Sequence, residues 1–448
     1  MRCPLLAAAT LLTTLLTALL TALLAAPLQA QVAVDSGAHP IHLADAIRLA
    51  QRNAPAAVQA RGQMQTSQAG LRSAYAAFIP SLSLNMSSAA HTPAGEPVNN
   101  PTTGQLLSGE WQLTQGISMG LDLFDGGRRL FNVSAARAQL GAAQAGELAQ
   151  YYQIAYQVKQ QYYAVLAARE SQAAAHSQLA QAVEQLRVSV AKVRARTATK
   201  SDSLRALIQV GNAQLAMLTA NNDLQAANAG LTRLIAAPAT VTASAEDTVG
   251  EGVVDVDSVA IAKLASQGPS VQQAGASLDA ARAGAQASRS TYYPSIVVSY
   301  GRSRVTPSTA FTLWGADGTY SGQLRFSLSY PIFNQWSREQ SIVLADVVVH
   351  NADAALRDAR YAAQQGLVQY LGALHTAQQQ VGIQIVSVAA AEEDLRVQQE
   401  RYQLGVSTIL DVLTSQTTLT AARAALIQAR FNYRVAKAQL EALVGRDL

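Results

Sequence analysis

The chain's single cysteine, Cys3, leaves no pair for a disulfide and no Cys-x-x-Cys for metal or redox chemistry. The six histidines are scattered, and the one close pair, His39 and His42, does not make a metal site alone. No P-loop, His-Glu-x-x-His or Ser-centred nucleophile elbow is present. The sequence therefore indicates neither an enzyme nor an energy source, and no cofactor is expected. Charge is sparse too. Charged residues make up 14%, with a formal net charge of +4, or +3 without Arg2. That is too small and too dispersed for a nucleic-acid partner. Beyond the first 30 residues no stretch approaches ~18 consecutive apolar residues, so any membrane passage there must be made by strands of a closed barrel. Proline is missing between Pro101 and Pro238 and again after Pro331, which removes the strongest helix breaker from two long stretches.

Residues 1–30 carry Arg2, an apolar run over 5–26 and the ending Leu28-Gln29-Ala30. This is the pattern of a secretory signal peptide cut before Gln31; the alternative is an uncleaved membrane anchor, since the run is long enough to span. Cys3 precedes the apolar run, where it cannot serve as a lipid attachment site, so no lipid anchor is expected.

The proline-free stretches are organised by sevens. Leu367, Leu374, Val381, Val388, Leu395 and Tyr402 are spaced every seven residues. After a break at 404–407 the rhythm resumes at Val412, Leu419, Leu426, Tyr433 and Leu440. Moving back 209 residues gives Val158, Val165, Gln172, Leu179, Leu186, Val193, then Ser203, Val210, Met217, Leu224 and Leu231. Only Gln172 and Ser203 depart from the pattern. A sustained heptad predicts helices packed knobs-into-holes. Each copy reads as a long helix, a tight turn and a shorter antiparallel helix, over about 129–236 and 338–445. A first helix running to about residue 195 would reach on the order of 100 Å at ~1.5 Å per residue, far more than a globular domain needs.

Ahead of each hairpin the period changes from seven to two. Leu82, Leu84 and Met86 alternate with Ser81, Ser83 and Asn85. Ile117, Met119, Leu121 and Leu123 alternate with Ser118, Gly120 and Asp122. Ile296, Val298 and Tyr300, then Leu324, Phe326, Leu328 and Tyr330, repeat the arrangement. Strands are expected at about 81–89, 111–124, 295–304 and 320–330, apolar on one face and small or polar on the other. Aromatics fall at both ends: Tyr75, Phe78, Phe124, Tyr292, Tyr293, Phe333 and Trp336 on the helix side, and Trp111, Phe311, Trp314 and Tyr320 on the loop side. Two such bands suit two membrane interfaces. Four strands cannot close a barrel, for which about eight is the minimum, so a barrel built from this chain is shared between subunits. The expected organisation is a signal peptide (1–30), a first repeat (31–236), an acidic linker (237–258) and a second repeat (259–448), each repeat running helix–strand–strand–helix–helix.

At these residues the chain resembles the TolC-like outer-membrane efflux protein family over essentially all of 31–448. The resemblance rests on the duplicated plan, on the strand-to-helix motif and on the hairpin from Tyr402 to Leu413. The motif stands here as Phe124-Asp125-Gly126-Gly127 and as Pro331-Ile332-Phe333-Asn334. Its first copy lacks the proline and its second lacks the glycines. The resemblance implies a mainly α fold with a β-barrel portion: a homotrimer with a shared twelve-stranded transmembrane β-barrel in outer-membrane lipid and a hollow helical cylinder across the periplasm. It further implies a passive duct joined through a periplasmic adaptor to an inner-membrane pump or secretion ATPase. The alternative from another class is a structural periplasmic coiled-coil protein with its strands in a soluble sheet and no channel.

The resemblance also assigns the tip. Asp411 matches an acid lining a narrow periplasmic aperture. Asp202 and Tyr402 match partners in the latch that closes it. Leu404, Gly405, Val406 and Ser407 match the segment that meets the adaptor. Ser407 stands where the family pattern has arginine, and Thr414 where it has a second acid. From the residues themselves, Thr199-x-x-Asp202 and Thr408-x-x-Asp411 read as helix caps. Gly405 suits a turn with positive φ; Arg196 holds the corresponding place in copy one, so the two turns are expected to differ in shape.

Overall fold

The computed structural model describes residues 38–90, 111–244, 258–308, 311–315 and 318–448. The expected signal peptide, the loop over 91–110 and most of the acidic linker lie outside the described residues.

Strand β1 (His39–Ile41) leads into helices α1 (Leu43–Asn53) and α2 (Pro55–Ala76). Then come β2 (Ser81–Ala90), β3 (Trp111–Phe124), α3 (Arg128–Arg194) and α4 (Lys200–Ile235). Strand β4 (Val241–Ala243) follows. Next are α5 (Ser258–Ala265), α6 (Pro269–Arg289), β5 (Ser295–Ser308), β6 (Thr319–Ser329), α7 (Ser337–Gln403) and α8 (Ile409–Val444). The same order of elements thus runs twice. The long helices are 67 residues each and the short ones 36 each.

The heptad residues form the seams. Val158, Val165 and Leu231 are fully buried with Tyr162 and Ile235 where α3 packs on α4 and α1. The counterpart in the second copy holds Leu374, Leu440 and Val444, and Leu395, Tyr402, Val412 and Leu419 form a further cluster near the turn between α7 and α8. Gln172, a departure from the heptad, donates from Nε2 to Asn221 Oδ1 at 2.7 Å. A satisfied polar pair on an apolar seam fixes which turn of α4 faces which turn of α3.

Part of the stretch expected as a linker is ordered structure: β4 pairs in parallel with β1, His39 opposite Val241. The Tyr162 hydroxyl donates to the Ile41 carbonyl at 3.0 Å and accepts from the Ser244 N–H at 3.0 Å, clipping both strands onto α3. Three-residue strands carry too little alternation to be seen in sequence.

The four long strands form one antiparallel sheet, ordered β2-β3-β5-β6. Strand β5 runs to Ser308, four residues further than expected, because Val305–Ser308 stay paired with Trp111–Thr114. Residues paired across strands share a face. One face carries the row Leu82, Met119, Tyr300 and Leu324. The other carries Ser83, Ser118, Gly301 and Gln323. Among the described residues most of this apolar face is uncovered: Leu82 is 73%, Leu324 58% and Phe326 68% exposed, while Leu113 toward the loops is buried. The polar face is hollow, with a cavity of about 380 Å³ lined by Asn85, Ser118, Ser303, Gln323 and Arg325 among others. Among the described residues, edge strands β2 and β6 each leave one side unpaired.

Candidate functional site

The strand-to-helix junction anchors each long helix. Gly126 (φ 69°) and Gly127 (φ 81°) turn the chain out of β3. A Cβ on Gly126 would lie 2.6 Å from the Ser290 carbonyl oxygen, so glycine is required there by contact as well as by φ. The buried Asp125 caps the helix: its Oδ2 accepts the Arg129 N–H at 3.0 Å and pairs with the Arg129 guanidinium at 3.3 Å. In the second copy Gln335 (φ 57°) and Trp336 (φ 61°) take the same left-handed path without glycine. Pro331 and Phe333 lie in the exit from β6, and Phe333 joins Phe124, Tyr293 and Trp336 in an exposed aromatic band.

At the far end the helices turn back. Gly405 has φ 77°; its N–H bonds the Tyr402 carbonyl at 3.2 Å, and the Val406 N–H bonds the Arg401 carbonyl at 2.9 Å. The expectation that the first turn differs is wrong. Arg196 has φ 61°, its N–H bonds Val193 at 3.1 Å, and the Thr197 N–H bonds Lys192 at 3.0 Å. Both are Schellman turns with the same bonds. An arginine takes the left-handed conformation because these bonds and the following cap fix it from both sides. The conformation still costs a non-glycine residue ~1–2 kcal/mol. Arg196→Gly is accordingly expected to stabilise the folded protein by about 1 kcal/mol, checked as a raised midpoint in denaturant.

Both following helices start with complete capping boxes. Asp202 Oδ2 accepts the Thr199 N–H and hydroxyl, each at 2.9 Å. Asp411 Oδ2 accepts the Thr408 N–H at 2.9 Å, the Thr408 hydroxyl at 2.8 Å and the Ser407 hydroxyl at 3.0 Å. The Thr408 N–H foremost, then the two hydroxyls, hold the Asp411 carboxyl below its ordinary value. With a depressed pKa, this cap is complete above the ordinary aspartate range and fades only as pH falls through the lowered value. Ser407 thus ties the turn to Asp411, and also to Gln398 at 3.2 Å.

The structure does not join Asp202 to Tyr402. Tyr402 instead meets Lys192 of the neighbouring hairpin. The Lys192 ammonium lies 3.9 Å from the ring centroid and donates to the Tyr402 carbonyl oxygen. A cation over an aromatic face is worth ~0.5–2 kcal/mol. This link between the two hairpins was not visible in sequence, because nothing in the spacing of 192 and 402 pairs a lysine with a tyrosine. Leu404 and Val406 stand exposed at the extreme end, 79% and 67%.

Among the described residues no helix is long and apolar enough to cross a membrane, and no group of three or more His, Cys, Asp or Glu could hold a metal ion. A sheet apolar on one side, hollow and polar on the other, on a helical body about 100 Å long, has the form of one wall of a membrane channel. Residues 46–237 and 260–446 match the outer membrane efflux protein model, and the chain belongs to that family. It is 25% identical to Protein CyaE of Bordetella pertussis over 384 residues, covering 85% of this chain and 79% of that protein. It is 28% identical to the toluene efflux pump outer membrane protein TtgC of Pseudomonas putida over 181 residues, covering 40% of this chain and 36% of that one. Its fold superposes on the open-state MtrE outer membrane channel of Neisseria gonorrhoeae with a TM-score of 0.72 at 20% identity, covering 91% and 89% of the two chains. The protein is therefore an outer-membrane channel-family member with a periplasmic helical extension, and not an enzyme. The soluble-sheet alternative fails with that assignment.

Proposed function

We propose that three copies close one twelve-stranded barrel and one helical tube, forming the passive exit duct of a tripartite efflux or type I secretion system. The observation that carries this reading is the open sheet, with two unpaired edges and an uncovered apolar face. The helices support it. Leu204, Leu207, Ile208, Leu215 and Leu218 make an exposed stripe on α4, and Val368, Ile383 and Val386 are exposed on α7. Neighbouring copies would cover these stripes. The detergent-extracted protein should have the mass of three chains. A stable monomer that needs no detergent would overturn the reading.

In the trimer the Tyr402–Lys192 link would hold the two hairpins of each subunit together at the closed tip, and three Asp411 carboxylates would ring the axis. With Thr414 in place of a second acid on this hairpin, the Asp411 ring should dominate the aperture. Asp411→Asn keeps the cap's shape and removes the charge. Planar-bilayer recordings are expected to show weaker cation selectivity and weaker block by multivalent cations. Unchanged values in an intact trimer would leave Asp411 as a cap alone.

The protruding Leu404–Ser407 segment would receive the adaptor, which links the duct to an inner-membrane pump or secretion ATPase. Val406→Trp should abolish export in cells while trimer and membrane location persist. Normal export from that variant would remove the adaptor role.

A further inference from the structure

The apolar face of the sheet is interrupted by arginine. Strand pairing places Arg302 in the row Leu84, Ile117, Arg302 and Gly322. Arg304 falls in the next row toward the loops, with Met86, Gln115 and Tyr320. On the polar face the corresponding charge is Arg325. An arginine at the middle of a barrel's lipid face costs ~2–4 kcal/mol, falling to ~0–1 near the interfaces. Its depth therefore decides what it can do.

The depth follows from the strand. Leu328 lies beside the helix-side aromatics, and Tyr320 is eight residues further along β6. At ~3.4 Å per residue and a tilt of ~40°, that is roughly 20 Å of height, against an apolar band of ~25 Å. Tyr320 thus stands at the far rim, toward the cell exterior. Gly322, opposite Arg302, offers no side chain, and the exposed Arg302 leans one row outward: its guanidinium lies 5.1 Å from the Tyr320 ring centroid. Arg304 fixes that ring. It donates to the Tyr320 hydroxyl at 2.9 Å and to Gln115 Oε1 at 2.8 Å. Residues 311–315, between β5 and β6, lie over the same corner. Gln115 Nε2 donates to the Leu313 carbonyl at 2.9 Å, and Phe311 packs edge-on against Trp111, with centroids 5.4 Å apart. Phe311 and Trp314 remain exposed beside it.

A guanidinium aimed at the outer rim, held on a tyrosine and flanked by exposed aromatics, has the chemistry of a headgroup-phosphate site. The guanidinium fork matches phosphate oxygens bidentately, while the rings occupy the zone between acyl chains and headgroups. We propose that Arg302, positioned by Tyr320 and Arg304, binds the phosphate of an anionic lipid in the outer leaflet, on the outside of the barrel at each subunit.

The test uses full-length protein in phosphatidylcholine nanodiscs containing a minor fraction of bis-phosphorylated lipid A. After extensive washing, the lipid A retained per trimer is counted by mass spectrometry. Wild type should retain lipid A well above its bulk fraction, and Arg302→Gln should retain about tenfold less, the loss of one charge-assisted contact. Arg325→Gln, on the polar face, should match wild type. Retention by Arg302→Gln equal to wild type would overturn the proposal, as would a wild-type protein with no preference over phosphatidylcholine. The proposal rests on closure of the barrel. Trimer mass is measured on the same sample, so a failure of trimer formation is told apart from a failure of the site.

Discussion

Leu395→Asp should abolish recovery of the assembled protein. Leu395 is 5% exposed and packs with Ala391, Tyr402, Ile409, Val412 and Leu419 just inside the turn between α7 and α8. Removing a buried leucine costs ~2–5 kcal/mol, and a carboxylate left unpaired in its place adds several more. Folding stabilities are only ~5–15 kcal/mol, so the combined loss is comparable to the whole. The neighbouring seam is less demanding. Leu186 is only partly buried, against Ala182, Val210 and Ala213, and Leu186→Asp should lower the yield without eliminating it. Size-exclusion profiles with circular dichroism separate folding from association. Leu395→Asp should lose helical signal as well as trimer. Leu204→Asp, on a face exposed in the single chain, should lose trimer while keeping its helices. Wild-type amounts of trimer from Leu395→Asp would show that the seam is not a core.

The helical body was legible because its cause is periodic. One apolar residue in seven, without proline, leaves little else for the chain to do, and even the departure at Gln172 has a local partner in Asn221. The four strands were legible for the same reason at period two. What escaped depends on distance or on backbone shape. Tyr162 clips β1 and β4 through single hydrogen bonds, and three-residue strands show no period. Arg196 adopts glycine's conformation because the Schellman bonds and the Thr199 cap outweigh its preference, which no propensity encodes. The caps at Thr199 and Thr408 were readable from four residues each. The Lys192–Tyr402 link was not, since it joins separate hairpins. Arg302 stood openly in the strand sequence, but its row on the apolar face and its lean onto Tyr320 required the register of β5 against β6.

The same blindness to distance hid an ionic cluster that joins the two halves of the chain. Lys159, on α3, bonds Glu441 Oε2 at 2.6 Å and Asp447 Oδ1 at 2.8 Å, at the end of α8 opposite the tip. The side chains of Lys159 and Glu441 are only 13% and 9% exposed. Glu441 also accepts the Leu448 N–H at 3.2 Å. Burial works to lower the Lys159 pKa, but the hydrogen bonds and charges of Asp447 and Glu441 together outweigh it and leave the pKa raised. The stabilisation is therefore complete below the ordinary lysine pKa and lost only as pH rises through the raised value, well outside the working range. Lys159→Met should destabilise the protein by about 3 kcal/mol, because it leaves the buried Glu441 carboxylate with only the long contact to Lys437 Nζ at 3.9 Å and the Leu448 N–H. Asp447, mostly exposed, should matter far less: Asp447→Asn is expected to cost under ~1 kcal/mol. The decisive variant is the double replacement Lys159→Met with Glu441→Leu, which removes both charges and fills the space. If the single-mutant loss comes from an unpaired buried charge, the double variant should recover most of the lost stability, a coupling of a few kcal/mol in a double-mutant cycle. Denaturant midpoints of the four proteins measure it. Additive losses would mean that Lys159 acts through its packed aliphatic stem, and that the two halves are joined by contact rather than by charge.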